Sequence, residues 1–439
     1  MRAMVAEVKT LWKQRYFWVI VCVLGVFLLP EYVAPLSALL ALVLAGKEAK
    51  AAGVSAFRFG KTGRRVVWFM AGMLLTVIYS AARLGTLETV AMWVVMAAAY
   101  FALLAAITDK ERLCRLCQAL TLCLGVLGLL GCIEYLGCTC LGWGRDGLQF
   151  WNFLDKWVYE WLPLDIRLYS KGIRVASAYS NPVVFAEAMM FLLPLSVYSI
   201  RSARHTASRV LFSLCLLLGV WGVAFSFSRA AYFVMMGILF LFVLYLIPRV
   251  KRPWGLVILL AAVALVAVFM LTPNIFSDRM QTLNSADESV SERTQLWAVA
   301  LSAIAERPVF GYGAGIRPAT EMMHAAGLTT VPHAHSLYLE LLIEGGVFLL
   351  VLFLLPVCRI LYAQGSTLFR KRRQPLLGFS IVVSLLGLLA FGLADFPLLC
   401  PKLVGVWWVL FALADLFGAL YQNAPLGNLV VKKEASPDA

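Results

Sequence analysis

Apolar runs recur along almost the whole chain, with only short polar breaks between most of them. Runs long enough to cross a hydrocarbon core of about 30 Å fall near residues 16–30, 32–46, 66–83, 87–107, 115–137, 181–200, 210–227, 230–247, 254–272, 336–358, 376–394 and 403–421. Lipid offers the backbone no water, so spanning segments are helices or closed barrels, and runs of this length read as helices. The pattern predicts an all-α, polytopic transmembrane bundle of about 12 spans, the first two of them short. No internal repeat stands out.

Two polar stretches are long. They divide the chain into spans one to nine (1–272, including the segment 138–180), a large loop (273–335), spans ten to twelve (336–421) and a tail (422–439). The segment 138–180 mixes aromatics with charges, which suits the headgroup level. Inside the large loop, SVSERTQLWAVALSAIAERP places Leu296, Ala300 and Ile304 at four-residue steps, with Ser291 as an N-cap and Pro308 beyond the end. That spacing predicts an amphipathic helix of roughly four turns. The glycine-rich VFGYGAGI follows it, and HAHSLYLELL opens the tenth span.

Composition agrees with a membrane protein and adds orientation. The 439 residues are 62% hydrophobic and 14% charged, with a mean hydropathy of +0.84, too apolar for a soluble domain. Most Lys and Arg fall on one set of connections, including RSARHTASR (201–209), PRVKRP (248–253) and FRKRRQP (369–375). Positive charge favours the cytoplasmic side, which predicts both termini in the cytoplasm and both long segments outside. The net charge of +14 is then a matter of topology and anionic lipid rather than nucleic-acid binding. Basic residues before the first apolar run resemble a signal sequence, yet no small-residue cleavage site follows, so an uncleaved span is expected.

The candidate chemistry gathers on the outer side. His335 stands where the large loop enters the tenth span, a position that suits either an interfacial helix cap or a neutral imidazole able to take a proton. Arg229 lies in a very short hairpin between spans seven and eight, where a charge at membrane depth tends to face an interior cavity or snorkels to the headgroups. Arg293 lies on the amphipathic helix, and Arg279, Arg307 and Arg317 read as solvated loop charges. Asp395 could hold a histidine or an arginine, or cap a turn before Pro397. Glu134, Glu187, Glu340 and Glu344 fall within or near spans and need partners or a wet cavity. Cys114 and Cys117 form a CxxC with no second pair, so neither zinc nor any other metal is expected. A disulfide from Cys138 or Cys140 to Cys400 stays open. Arginines bind phosphate oxygens and a neutral histidine can deprotonate a hydroxyl, which together fit transfer from a phosphate-activated lipid donor.

The order SRA after the seventh span, then SERTQLW, RPVFGYGAG and HAHSLYLELLIEGG, resembles the O-antigen ligase family over about 225–395. The superfamily also holds O-antigen polymerases and protein O-oligosaccharyltransferases. The resemblance implies a glycosyltransferase of the bacterial inner membrane that needs no cofactor and no metal. It implies a donor glycan on undecaprenyl diphosphate, an acceptor sugar of lipid A-core, and inversion at the anomeric carbon. By motif it implies Arg229 and Arg293 on the donor diphosphate, His335 with Arg293 as the catalytic pair, and Asp395 in support. Ala230 departs from the glycine usual after the hairpin arginine. A polymerase using the same donor is the close alternative, and a secondary transporter the alternative of another class, since twelve spans with both ends inside also suits one.

Overall fold

A computed structural model describes residues 14–51, 55–140, 174–249, 288–327, 333–369 and 375–422. Every regular element among the described residues is helical. Eight helices come first: α1 (Arg15–Leu28), α2 (Ala34–Ala51), α3 (Lys61–Thr76), α4 (Arg83–Ala106), α5 (Lys110–Cys140), α6 (Pro182–Ser202), α7 (Thr206–Phe225) and α8 (Arg229–Leu246). Two further helices, α9 (Glu288–Glu306) and α10 (Ile316–Ala325), precede α11 (Leu337–Phe369), α12 (Pro375–Phe391) and α13 (Pro401–Gln422).

Among the described residues, seven helices are long and apolar enough to cross a membrane, namely α4 to α8, α11 and α13. Twelve spans were expected, and these seven are the ones the described residues show. Helices α1 and α12 are apolar but shorter. In α2 and α3 the apolar stretch is cut by charge, Lys47, Glu48 and Lys50 at the end of one and Lys61, Arg64 and Arg65 at the start of the other. The third run was expected to reach residue 83, but its helix stops at Thr76 and Arg83 opens the next. The expected span at 254–272 lies outside the described residues, as do most of 138–180 and much of 273–335.

Helix α13 is the axis of the bundle, with the whole of its apolar window buried. It packs on α4, and Trp407, Trp408, Trp93 and Phe69 form its aromatic core. Helices α7 and α8 instead expose Leu214, Leu217, Trp221, Phe233 and Phe240, an apolar outside suited to lipid.

Polar ties hold each end of the bundle. At one end Asp415 of α13 accepts from the backbone N–H groups of Thr62 and Gly63 at 2.9 Å and from Tyr100 Oη at 2.9 Å. This carboxylate satisfies orphan N–H groups of α3, a capping job done from a distant helix. The same end carries Arg112 paired with Glu48 at 2.8 Å. The opposite end carries the candidate chemistry. There Lys402, fully buried, donates from Nζ to the carbonyl of Ala178 at 2.6 Å and lies 3.7 Å from the Tyr179 ring centroid. Ser180 donates to Glu31 at 2.6 Å.

The tenth apolar run is not one continuous helix. Gly345 and Gly346 leave helical geometry, splitting α11 into Leu337–Glu344 and a long second part. The loop 308–313 takes over the interrupted hydrogen bonds. Tyr312 and Gly313 N–H donate to Ile343 and Glu344 carbonyls at 2.8 Å, and Val347 N–H donates to Pro308 at 2.9 Å. Gly346 has φ 63° and its backbone touches Val309, so a Cβ there would meet a carbonyl at 2.3 Å. Two strained glycine segments thus dock backbone to backbone, which a sequence periodicity cannot show.

Candidate active site

The turn His333-Ala334-His335-Ser336, just before α11, is held from several directions. Ala334 N–H donates to Glu340 Oε2 at 2.8 Å, and Trp297 Nε1 of α9 donates to the Ala334 carbonyl at 3.0 Å. His335 N–H donates to His333 Nδ1 at 3.2 Å. Leu337 N–H reaches the Gly392 and Asp395 carbonyls at 2.7 and 3.0 Å. This density of ties supports a residue in an unusual conformation, because His335 has φ 46°. A left-handed non-glycine residue is strained and persists where its surroundings over-determine it.

The strain aims His335 at Asp395, with Nδ1 and Oδ1 3.1 Å apart. Asp395 is the more buried partner, at 15% side-chain exposure against 34% for His335. Burial pushes the Asp395 carboxyl up, but the His335 hydrogen bond, the charges of His335 and His333, and the Phe396 N–H together hold it below its ordinary value. An ionised carboxylate only accepts, so a hydrogen of His335 sits on Nδ1, and in the neutral ring Nε2 then keeps its lone pair.

His333 is a structural partner rather than a bystander. Burial above all, then the charge of His335, pushes its pKa down to about 4; Asp395 acts the other way and Arg293 adds to the lowering. It is therefore neutral at neutral pH, and its ring stands edge-on to that of His335 at 4.1 Å.

Arg293 is half-buried on α9, within electrostatic reach of His333. The predicted helix is present, with Leu296 and Ala300 buried as expected and Ile304 partly so, against Ala319, Met323, Ala334 and Ile343. Its start differs: Glu288 is already helical, so Ser291 lies inside the first turns and is not the N-cap. Glu288 and Ser289 already stand in the helix, which a cap-based reading of Ser291 misses.

Arg229 is the first residue of α8, and Ser228 caps that helix by accepting from Ala231 N–H at 3.4 Å. Ala230 is helical here, so the position makes no demand for glycine. The hairpin before it is anchored by a route the sequence did not reveal. Glu134 Oε2 accepts from Ala176 and Ser177 N–H at 3.2 and 2.8 Å. The neighbouring Arg174 Nε donates to Ser226 at 3.0 Å, and Val175 N–H donates to Phe225 at 3.1 Å. Glu134 thus fixes the strand of chain that fixes the arginine hairpin. Arg174 and Lys402 were not singled out, the one lying in a polar segment and the other reading as an ordinary span flank.

The remaining candidates are elsewhere. Arg307 stacks on Tyr312 and Arg317 pairs with Glu88 at 3.1 Å, both on exposed surface, while Arg279 lies outside the described residues. Glu187 is fully buried close to Asp395, with neither carboxyl oxygen partnered among the described residues. All ten cysteines are free thiols, including Cys138, Cys140 and Cys400.

His333, His335 and Asp395 each offer a metal-ligand atom, and these lie within 4.8 Å of one another. The set could hold an ion, but at a cost in existing bonds. His333 Nδ1 is occupied by the His335 N–H and His335 Nδ1 by Asp395. A metal held by those Nδ1 atoms would break both contacts that orient the imidazole, so only the Nε2 atoms could serve an ion without disturbing the His335–Asp395 contact.

An apolar helical bundle that carries a strained histidine paired with a carboxylate in the turns beside its helices has the make-up of a polytopic helical membrane protein. Residues 214–354 match the family model described as O-antigen ligase. The match takes in Arg229, Arg293 and His335, while Asp395 lies beyond it. No curated protein matches the chain.

Proposed function

We propose that the protein is a membrane glycosyltransferase that moves a glycan from undecaprenyl diphosphate to an acceptor hydroxyl on the periplasmic face of a bacterial inner membrane, ligating O-antigen to lipid A-core. The His335–Asp395 contact carries this reading, together with the O-antigen ligase match. Nε2 of His335 removes the proton from the acceptor hydroxyl as its oxygen attacks the anomeric carbon. The bond from that carbon to the diphosphate oxygen breaks, and the electron pair leaves with undecaprenyl diphosphate. Attack opposite the leaving group inverts the anomeric centre. Asp395 stabilises the imidazolium that forms, and Arg229 and Arg293 neutralise the departing diphosphate. No metal takes part. Both termini are cytoplasmic, which accords with the basic residues Arg64, Arg65, Arg112, Arg115 and Arg201 at the end of the bundle away from His335.

The test is transfer by purified protein in detergent, supplied with lipid-linked glycan and either a lipid A-core acceptor or a second lipid-linked glycan. Glycosyl transfer needs no sealed membrane, whereas transport does. Product on lipid A-core in the presence of EDTA is expected. Product only on the second lipid-linked glycan makes the protein a polymerase, and no product from either acceptor removes the glycosyltransferase reading.

A further inference from the structure

A cavity of about 140 Å³ lies between α3, α4, the start of α10 and α11. It holds far more than the single water that roughly 15 Å³ admits, yet is small beside the 300–1,000 Å³ of most ligand pockets. That scale suits one sugar ring rather than an oligosaccharide. Its walls include Phe69, Trp93 and Phe396, and Thr89 and Glu344 supply polar groups. Phe396 links this wall to the reacting pair, being next to Asp395 in sequence and with its ring centroid 6.3 Å from that of His333.

Glu344 decides the chemistry of the occupant. Its side chain is almost wholly buried, it lines the cavity, and its Oε1 has no partner among the described residues. A hydrocarbon occupant would leave that buried oxygen without a hydrogen-bond partner, which is unfavourable. A ligand hydroxyl would satisfy it, and aromatic walls suit the apolar face of a sugar ring. At the rim, Glu88 is tied to Arg317 at 3.1 Å.

We infer that this cavity, one of whose wall residues is Phe396 next to Asp395, is the subsite for a sugar ring of the acceptor. The inference rests on the glycosyltransferase reading for its substrate class, but binding can be measured without turnover.

The experiment is equilibrium binding of delipidated core oligosaccharide to the full chain in detergent, by calorimetry, with farnesyl diphosphate as the competing lipid-type probe. Ile316→Trp, at the cavity edge, fills the space, and Thr89→Val removes one hydroxyl at nearly constant volume. Core oligosaccharide affinity is expected to fall about tenfold or more in Ile316→Trp and severalfold in Thr89→Val, with farnesyl diphosphate affinity unchanged. Thr89→Val carries the test alone if Ile316→Trp does not fold. Absence of oligosaccharide binding to the unmodified protein, equal binding by both variants, or loss of farnesyl diphosphate binding instead would overturn the subsite. Intact binding without transfer would overturn only the glycosyltransferase reading.

Discussion

His335 Nδ1 and Asp395 Oδ1 meet at 3.1 Å across a sequence separation of 60 residues. The contact joins the turn before α11 to the turn after α12. The same two turns are sewn together by the backbone bonds from Leu337 to Gly392 and Asp395, so the imidazole cannot shift without disturbing both.

Asp395→Asn keeps the shape and removes the charge that fixes the Nδ1–H tautomer. Transfer is expected to slow by about 10²- to 10⁴-fold, the usual scale of a positioned general base, with donor affinity nearly unchanged. Initial rates and donor binding measured side by side check this. A rate within twofold of the unmodified protein would show that Asp395 does not orient the base.

Acid should destabilise the fold through His333. Its folded pKa of about 4 lies below the unfolded value near 6.5, so the unfolded chain binds more protons in between. Stability is therefore complete above the unfolded value and is lost as pH falls from about 6.5 to 4, by roughly 3 kcal/mol. Asp395, held below its ordinary value, adds to the loss at still lower pH. Melting temperatures of the unmodified protein and His333→Gln should diverge in slope across that window. Parallel slopes would mean that His333 does not titrate as its burial requires.

Gly346→Ala places a Cβ at φ 63° against the Val309 carbonyl. The left-handed backbone alone costs about 1–2 kcal/mol, and here the neighbour is backbone and cannot turn aside. A clear drop in melting temperature is expected. Gly237→Ala, on a helix with nothing near the new methyl, serves as the control and should melt as before or slightly higher.

Trp297→Phe removes the bond from Nε1 to the Ala334 carbonyl while keeping most of the ring volume. A single neutral hydrogen bond contributes about 0.5–1.5 kcal/mol, so the protein should remain folded. Because that bond braces the strained His335 turn, kcat should fall more than the melting temperature suggests, with donor KM unchanged. An unaltered kcat would show that the turn holds without α9.

Long apolar runs made the helical membrane architecture legible, and the four-residue spacing of Leu296, Ala300 and Ile304 located the buried face of α9. The apolar residues Val77, Ile78 and Tyr79 carry the hydropathy past Thr76, where the helix ends, which is why the run reaches to residue 83 in the sequence but not in the structure. The break at Gly345-Gly346 was hidden because its hydrogen bonds go to a loop more than thirty residues earlier, and hydropathy has no term for that. His335, Arg229 and Asp395 were visible as unusual residue types at the ends of spans, and Arg293 as a charge on the amphipathic helix. Which of them meet was not visible. The structure brings His335 to Asp395 and Arg293 near His333, and puts Arg229 at the head of α8. The parts played by His333, Glu134 and Arg174 depend on backbone partners, and a side chain that bonds to backbone leaves no residue pattern to read.

The most direct measurement of the central claim is single-turnover transfer by His335→Ala, with the donor already bound and the acceptor then added. Donor binding should persist while glycan transfer falls to the background of the protein-free reaction. Transfer at an undiminished rate would contradict the assignment of His335 as the base.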